Sequence, residues 1–175
     1  MAVRLGALYA PQDILTLRAA ALLHDLTKEC STEEHLALCA QYGLSVAEID
    51  RRAHKTLHAR TAAAVIAHRY PQFATEAVIG CVRWHTTGRA DMTVCEKLIY
   101  LADYIDMSRT FEDCVHLRQI FWGAEPERMD EAARLAHLNQ TLILSYDMTI
   151  SALIADGTPV SPDTVAARNA LILER

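Results

Sequence analysis

Residues Ala19–Lys28 read AAALLHDLTK. The first half is apolar on nearly every side, and a helix of that kind belongs inside a protein, packed by other helices. At its end His24 and Asp25 stand side by side, with Lys28 one turn on. An imidazole, a carboxylate and an ammonium at the end of a buried helix are costly to desolvate unless they meet one another, a metal or a charged ligand. The expected class is all-α, with further ligands to be found along the chain.

Outward from this stretch the chain reads as helix after helix. Residues 2–9 make a short helical segment broken at Pro11, and 12–27 form the buried helix. Ser31 with Glu34 is a capping box that starts a helix ending near Tyr42 at Gly43. Ser45 with Glu48 is a second box, opening an exposed, charged helix. Lys55–Tyr70 carries Leu57, Thr61, Ala64, Val65 and His68 at helical spacings and stops at Pro71. Residues 73–84 form a helix that ends at His85-Thr86-Thr87-Gly88. Thr93 with Glu96 is a third box, opening VCEKLIYLADYIDM. A short helix is expected over 112–121, a long one over 126–155, and a last one from Ser161-Pro162. No alternating strand pattern stands out.

The 175 residues suit one domain with one core. About half are apolar and the net charge is -5, which argues against a general nucleic-acid surface. The five cysteines, Cys30, Cys39, Cys81, Cys95 and Cys114, are odd in number and lack CxxC spacing, as in a reduced cytoplasmic protein. No apolar run approaches a membrane span. MAVRLGALYA, with Arg4 inside it, makes a poor signal peptide. The C-terminal helices, rich in Ala, Leu and Ile, can pack on the core or on a second subunit, as in a homodimer.

Of eight histidines, His24, His58 and His85 end or punctuate apolar helices. Asp103 follows KLIYLA in a helix of core character, where an Asp is rarely unpaired. Four helices thus offer hard or borderline ligands to one interior, a set that suits Fe, Mn, Zn or Mg. Asp25 could bridge two cations. The bland alternatives are a helix-end polar pair for His24 and Asp25, and a dipole-favouring helix end for His85 and Lys28. His54 rivals His58 on the same helix face. His35, His68, His116 and His137 read as surface or ordinary buried histidines. Trp84 reads as core, and Cys30, Cys81 and Cys95 as packing thiols.

The order His24-Asp25, His58, His85, Asp103 resembles the HD-domain metal-dependent phosphohydrolases. The flanking words ALLHDLTK, LHARTAAAVIAH, VRWHTTGRADMT and EKLIYLADYID, with Arg109 soon after, are similar to the YqeK-type bacterial family of symmetrical diadenosine tetraphosphate hydrolases. The resemblance implies a compact multi-helix HD bundle over residues 1–175 and a site of one or two divalent ions. Iron is the metal it suggests, with Mn or Zn compatible. It implies metal ligation by His24, Asp25, His58, His85 and Asp103, and phosphate contacts from Lys28 and Arg109. Thr86, Thr87, Gly88 and Arg89 would form a phosphate-binding loop, with Tyr104 stacking on a base. The implied reaction cuts a dinucleoside polyphosphate symmetrically, giving two ADP. The alternatives are a mononucleotide phosphatase and a nucleotide-binding module with little turnover. A di-iron oxygenase needs a fuller ligand set.

The chain departs from the family pattern in two places. The family has an earlier His on the helix before the His-Asp doublet, and none precedes His24 here. The expectation is an N-terminal helix cut short and a first metal less fully held. Asp106 stands where the family usually has Glu.

Overall fold

The computed structural model describes residues 1–174 and, among them, every side chain except that of His54. The regular structure among the described residues is entirely helical. In chain order the helices are α1 (Ala2–Tyr9), α2 (Ile14–Leu23), α3 (Thr32–Gln41), α4 (Glu48–Arg52), α5 (Leu57–Arg69), α6 (Glu76–Trp84), α7 (Val94–Tyr104), α8 (Glu112–Gly123), α9 (Glu131–Ala155) and α10 (Pro162–Leu173).

Local chemistry accounts for most of the boundaries. Ser31 and Thr93 each accept from the backbone N–H three residues on, and Glu34 and Glu96 return the bond, so both capping boxes are complete. Gly43 and Gly157, at φ of 67° and 64°, turn the chain after α3 and α9. Other boundaries differ from expectation. Ala47 rather than Ser45 precedes α4, because Asp50 Oδ2 accepts from the Ala47 N–H at 2.9 Å. Thr75 caps α6, which therefore begins at Glu76. Asp130 caps α9 after a 3-10 turn over Pro126–Arg128. α7 ends at Tyr104, so Asp103 lies in its last turn and not in mid-helix.

The largest correction concerns α2. It spans ten residues, and 24–29 are successive turns. It is not interior on all sides: Leu17 and Ala20 are buried, while Leu15 and Leu22 are 80% and 77% exposed. Its small Ala19-Ala20-Ala21 run lets α6 and α7 approach closely on one side, which leaves the opposite side to solvent.

α6 packs against α2, α5 and α7, and α1 lies across α2 and α7. α3 rests on α5. α8 and α10 flank α9, which touches α7, so the C-terminal helices pack on the chain's own core. One apolar cluster runs from Leu5 and Leu17 through Ile66, Leu98 and Leu101 to Phe121 and Tyr146. Each such side chain contributes about 1.5–3 kcal/mol by leaving water. The result for function is that the C-terminal ends of α2, α6 and α7 meet the N-terminal end of α5.

Candidate metal centre

Three imidazoles are oriented by the same local device. Nδ1 of His24 lies 2.8 Å from the Ala21 carbonyl, Nδ1 of His58 lies 2.7 Å from that of Lys55, and Nδ1 of His85 lies 2.7 Å from that of Val82. A carbonyl only accepts, so each Nδ1 carries the proton and each Nε2 presents a lone pair. Each partner is three residues earlier, which is what a helix end or a tight turn supplies.

The three Nε2 atoms converge on Asp25. His24 Nε2 is 3.4 Å from Asp25 Oδ2, while His58 and His85 Nε2 are 3.4 and 3.6 Å from Oδ1. His24 Nε2 is also 3.7 Å from Asp103 Oδ1. The Nε2 atoms of His58 and His85 are 2.9 Å apart, and the Thr86 hydroxyl lies 3.1 Å from the second of them. Two lone pairs that close repel unless a cation or a proton stands between them. His24 Nε2 and Asp25 Oδ1 are buried without any hydrogen-bond partner. Such orphaned acceptors are costly in an interior. A divalent cation removes both penalties, and His24, Asp25 and His85 place one ligand atom each within 4.8 Å of one another. The donor set therefore fits a divalent metal.

The electrostatics agree. Burial opposes the charged form of Asp25, but His58, His85 and Lys28 outweigh it and hold its carboxyl well below the usual carboxylate range. Burial likewise opposes ionised Asp103, and His24 and Arg109 outweigh it. Burial pulls the His85 pKa down, favouring the neutral imidazole that a metal needs. For His24 burial also disfavours the proton, yet Asp103 and Asp25 win and its pKa is raised.

These shifts predict an acid limb for the metal-free protein. Asp25 and Asp103 titrate near 3.8 when unfolded and lower when folded. Their stabilisation is complete above the unfolded value and drains away as pH falls through the folded values. Thermal unfolding followed by circular dichroism should show the midpoint falling below about pH 4, and an Asp25→Asn/Asp103→Asn variant should show a flatter limb. Equal acid slopes in the two proteins would contradict this.

A cavity of about 790 Å³ opens beside the centre, in the range of small-molecule sites. Lys28, Thr86, Tyr104 and Arg109 line it, as do His58, His85 and Asp103. Lys28 Nζ donates to Asp25 Oδ2 at 2.5 Å, and Arg109 donates to Asp103 Oδ1 at 2.5 Å. Each expected phosphate contact lies on the cavity wall and is held at a carboxylate. The 105–109 loop that carries Arg109 is gathered by Arg118, which donates to the carbonyls of Ile105, Asp106 and Arg109. A second cavity of about 330 Å³ adjoins His24, with Met1, Ala2 and Asp106 on its wall.

The rest of the expected phosphate loop lies elsewhere. Thr87 is buried, donates to the Gly88 carbonyl at 3.0 Å and faces a separate cavity with Arg60, Arg83 and Asp163. Gly88, at φ 66°, donates its N–H to the Trp84 carbonyl and packs under Tyr146. Arg89 makes a two-pronged contact with the buried Glu96 at 3.1–3.3 Å. The left-handed turn at Gly88 carries the chain away from the cavity towards α7, so only Thr86 of the four stays at the site. Trp84 does not line the cavity; the Arg83 guanidinium lies 4.0 Å over its ring. The reading of His54 falls outside the described side chains.

Several lining residues escaped the sequence reading. Phe111 is 69% exposed at the cavity wall, with Lys55, Asp113 and Thr149 nearby. His35 is buried and also lines it. A Phe in sequence reads as core, so nothing local marked Phe111.

Known proteins resemble this chain closely. The HD domain model matches residues 1–108, which hold every expected metal ligand. The symmetrical bis(5'-nucleosyl)-tetraphosphatase of Halalkalibacterium halodurans is 33% identical over 99% of this chain and 84% of its own length. Its Bacillus subtilis namesake is 32% identical over 98% of this chain and 82% of its own length. A crystal structure of a Clostridium acetobutylicum HD superfamily hydrolase, described as involved in NAD metabolism, superposes with a TM-score of 0.83. It is 31% identical, covering 99% of this chain and 84% of that one.

Proposed function

We propose, since the chain belongs to the HD-domain family and within it to the symmetrical bis(5'-nucleosyl)-tetraphosphatases, that it hydrolyses diadenosine tetraphosphate to two ADP. The observation that carries this is the convergence of three Nε2 lone pairs on Asp25, between the larger cavity lined by His58 and His85 and the smaller one lined by His24 and Asp25, both bordered by Lys28 and Arg109.

The donors are His24, Asp25, His58, His85 and Asp103. The two Asp25 oxygens face different imidazoles, so Asp25 would serve as a donor whether one or two ions were held. Iron is the metal we assign, on the family resemblance; imidazole and carboxylate donors also accommodate Mn or Zn. A divalent ion held there lowers the pKa of water from 15.7 to about 7–9 and withdraws charge from phosphate oxygens. The chain's own groups do the rest. Lys28 and Arg109 swing from their carboxylates to the non-bridging oxygens and offset charge on the departing diphosphate. Thr86, whose hydroxyl lies 3.1 Å from His85 Nε2 on the cavity wall, would offer a hydrogen bond to a phosphate oxygen. Tyr104 and Phe111 offer ring faces for a base.

We further assign residues 1–175 to one catalytic domain acting in the cytoplasm as a homodimer. The exposed Leu15 and Leu22 on α2 support the last point, as an apolar strip that a second copy would cover. Among the described residues no helix is long and apolar enough to cross a membrane.

Chelation to a metal content below one-tenth equivalent should remove at least about 99.9% of turnover, with Fe(II) or Mn(II) restoring it. Full activity in the stripped protein, or release of inorganic phosphate from mononucleotides in preference to cleavage of the dinucleotide, would contradict the assignment. Phe111→Ala should raise KM about tenfold at unchanged kcat, because stacking on a base contributes about 1–3 kcal/mol. An unchanged KM would remove Phe111 from the substrate site.

A further inference from the structure

Behind the metal centre, three buried polar side chains touch in a row. His35 on α3, Thr61 on α5 and Thr27 in the Asp25 loop are 4%, 0% and 5% exposed. His35 Nδ1 lies 2.9 Å from Thr61 Oγ1, Thr61 Oγ1 lies 2.8 Å from Thr27 Oγ1, and Thr27 Oγ1 donates to the His58 carbonyl at 2.9 Å. Thr27 thus ties the loop of Asp25 directly to the backbone of His58.

Proton accounting gives the row a direction. Each hydroxyl has one proton to donate. Thr27 spends its proton on the His58 carbonyl, which can only accept. The 2.8 Å contact between the hydroxyls then needs the Thr61 proton, since two oxygens that close with no hydrogen between them repel. Thr61 is also 3.1 Å from the Leu57 carbonyl and 3.3 Å from that of His58, the usual back-bonds of a helical Thr, but either choice would leave the shorter hydroxyl pair without a proton. Thr61 therefore accepts from His35 Nδ1–H. The consistent arrangement runs His35 to Thr61 to Thr27 to the His58 carbonyl, with every hydroxyl donating once and accepting once.

The row joins parts that share little else. Thr27 is two residues after Asp25, in a run of turns outside any helix. Thr61 is one helical turn after His58. Asp25 Oδ1 and His58 Nε2 must sit close enough to share one ion, and they are 3.4 Å apart. We infer that His35, Thr61 and Thr27 form a positioning relay that clamps the Asp25 loop onto the first turn of α5 and so sets the Asp25–His58 spacing. The inference rests on the metal-centre reading above. His35 reaches the cavity wall but Thr27 and Thr61 do not, so removing either Thr hydroxyl should act on metal and turnover, not on substrate binding.

The test uses the full chain in metal-free form, titrated with Co(II) and Mn(II), alongside kinetics on the reloaded protein. Thr27→Val keeps the shape and removes the hydroxyl. It should weaken divalent-ion affinity about 10- to 100-fold, the usual effect of losing a hydrogen bond behind a metal ligand. The Co(II) visible absorption should change, kcat should fall and KM should stay. Thr27→Ser restores the hydroxyl and should restore affinity, spectrum and kcat. Thr61→Val serves where Thr27→Val does not fold, and should show the same loss. Wild-type affinity and spectrum in a folded Val variant, or a Ser variant that does not recover, overturn the relay. Wild-type protein that binds neither ion overturns both the relay and the metal-centre reading, so the two failures are told apart.

Discussion

Asp25→Ala lowers turnover of diadenosine tetraphosphate by at least about a thousandfold while the helices stay folded. Asp25 lies within 3.6 Å of His24, His58 and His85 and is paired with Lys28, and no other described residue touches all four. Removing it takes away the carboxylate between the imidazoles and leaves Lys28 without its partner. Loss of metal-derived stabilisation of several kcal/mol corresponds to that thousandfold or more. The fold should survive because Asp25 belongs to a turn and its side chain is partly solvent-exposed, outside the apolar cluster. Circular dichroism and a product assay on metal-loaded protein check both halves. A folded variant with wild-type turnover would contradict the role of Asp25.

Gly88→Ala destabilises the fold by about 3 kcal/mol or more. Gly88 sits at φ 66°, where an L side chain is strained by roughly 1–2 kcal/mol. A Cβ there would also lie 1.9 Å from the Tyr146 hydroxyl and 2.9 Å from Ala167 Cβ, contacts that only movement of α9 or α10 relieves. Overpacking of that kind costs about 1–3 kcal/mol. The unfolding midpoint should fall by roughly 6–12 °C in a chain of this size. An unchanged midpoint would mean that the turn after His85 is not the tight, buried connection described here.

The two residues show what was legible in the sequence and why. Asp25 could be singled out because its neighbours in sequence are its neighbours in space: the doublet ends a helix, and each other expected donor also ends or opens one. Capping boxes at Ser31 and Thr93 were readable for a similar reason, since a cap and its partner are three residues apart. Gly88 was read as part of a phosphate loop because HTTGR is contiguous. In the fold its left-handed turn separates Thr86, which stays at the cavity, from Arg89, which pairs with buried Glu96. That choice depends on where α7 lies, which no local pattern encodes.

The exposure of Leu15 and Leu22 is of the same sort. An apolar helix with three consecutive alanines looks buried all round, but which side meets α6 and α7 is a tertiary matter. Phe111 was missed because an aromatic reads as core, and His35, read as a surface or ordinary buried histidine, is buried but lies at the cavity wall. Arg118, whose guanidinium gathers three carbonyls of the loop bearing Arg109, carries no sequence mark of that task.

The most direct test is the identity of the products that metal-loaded wild-type protein makes from diadenosine tetraphosphate in ¹⁸O-labelled water. Its family predicts ADP alone, with one label carried by one of each pair of ADP molecules. Formation of ATP and AMP, or no cleavage at all with Fe(II) or Mn(II) bound, would contradict symmetrical hydrolysis at this centre.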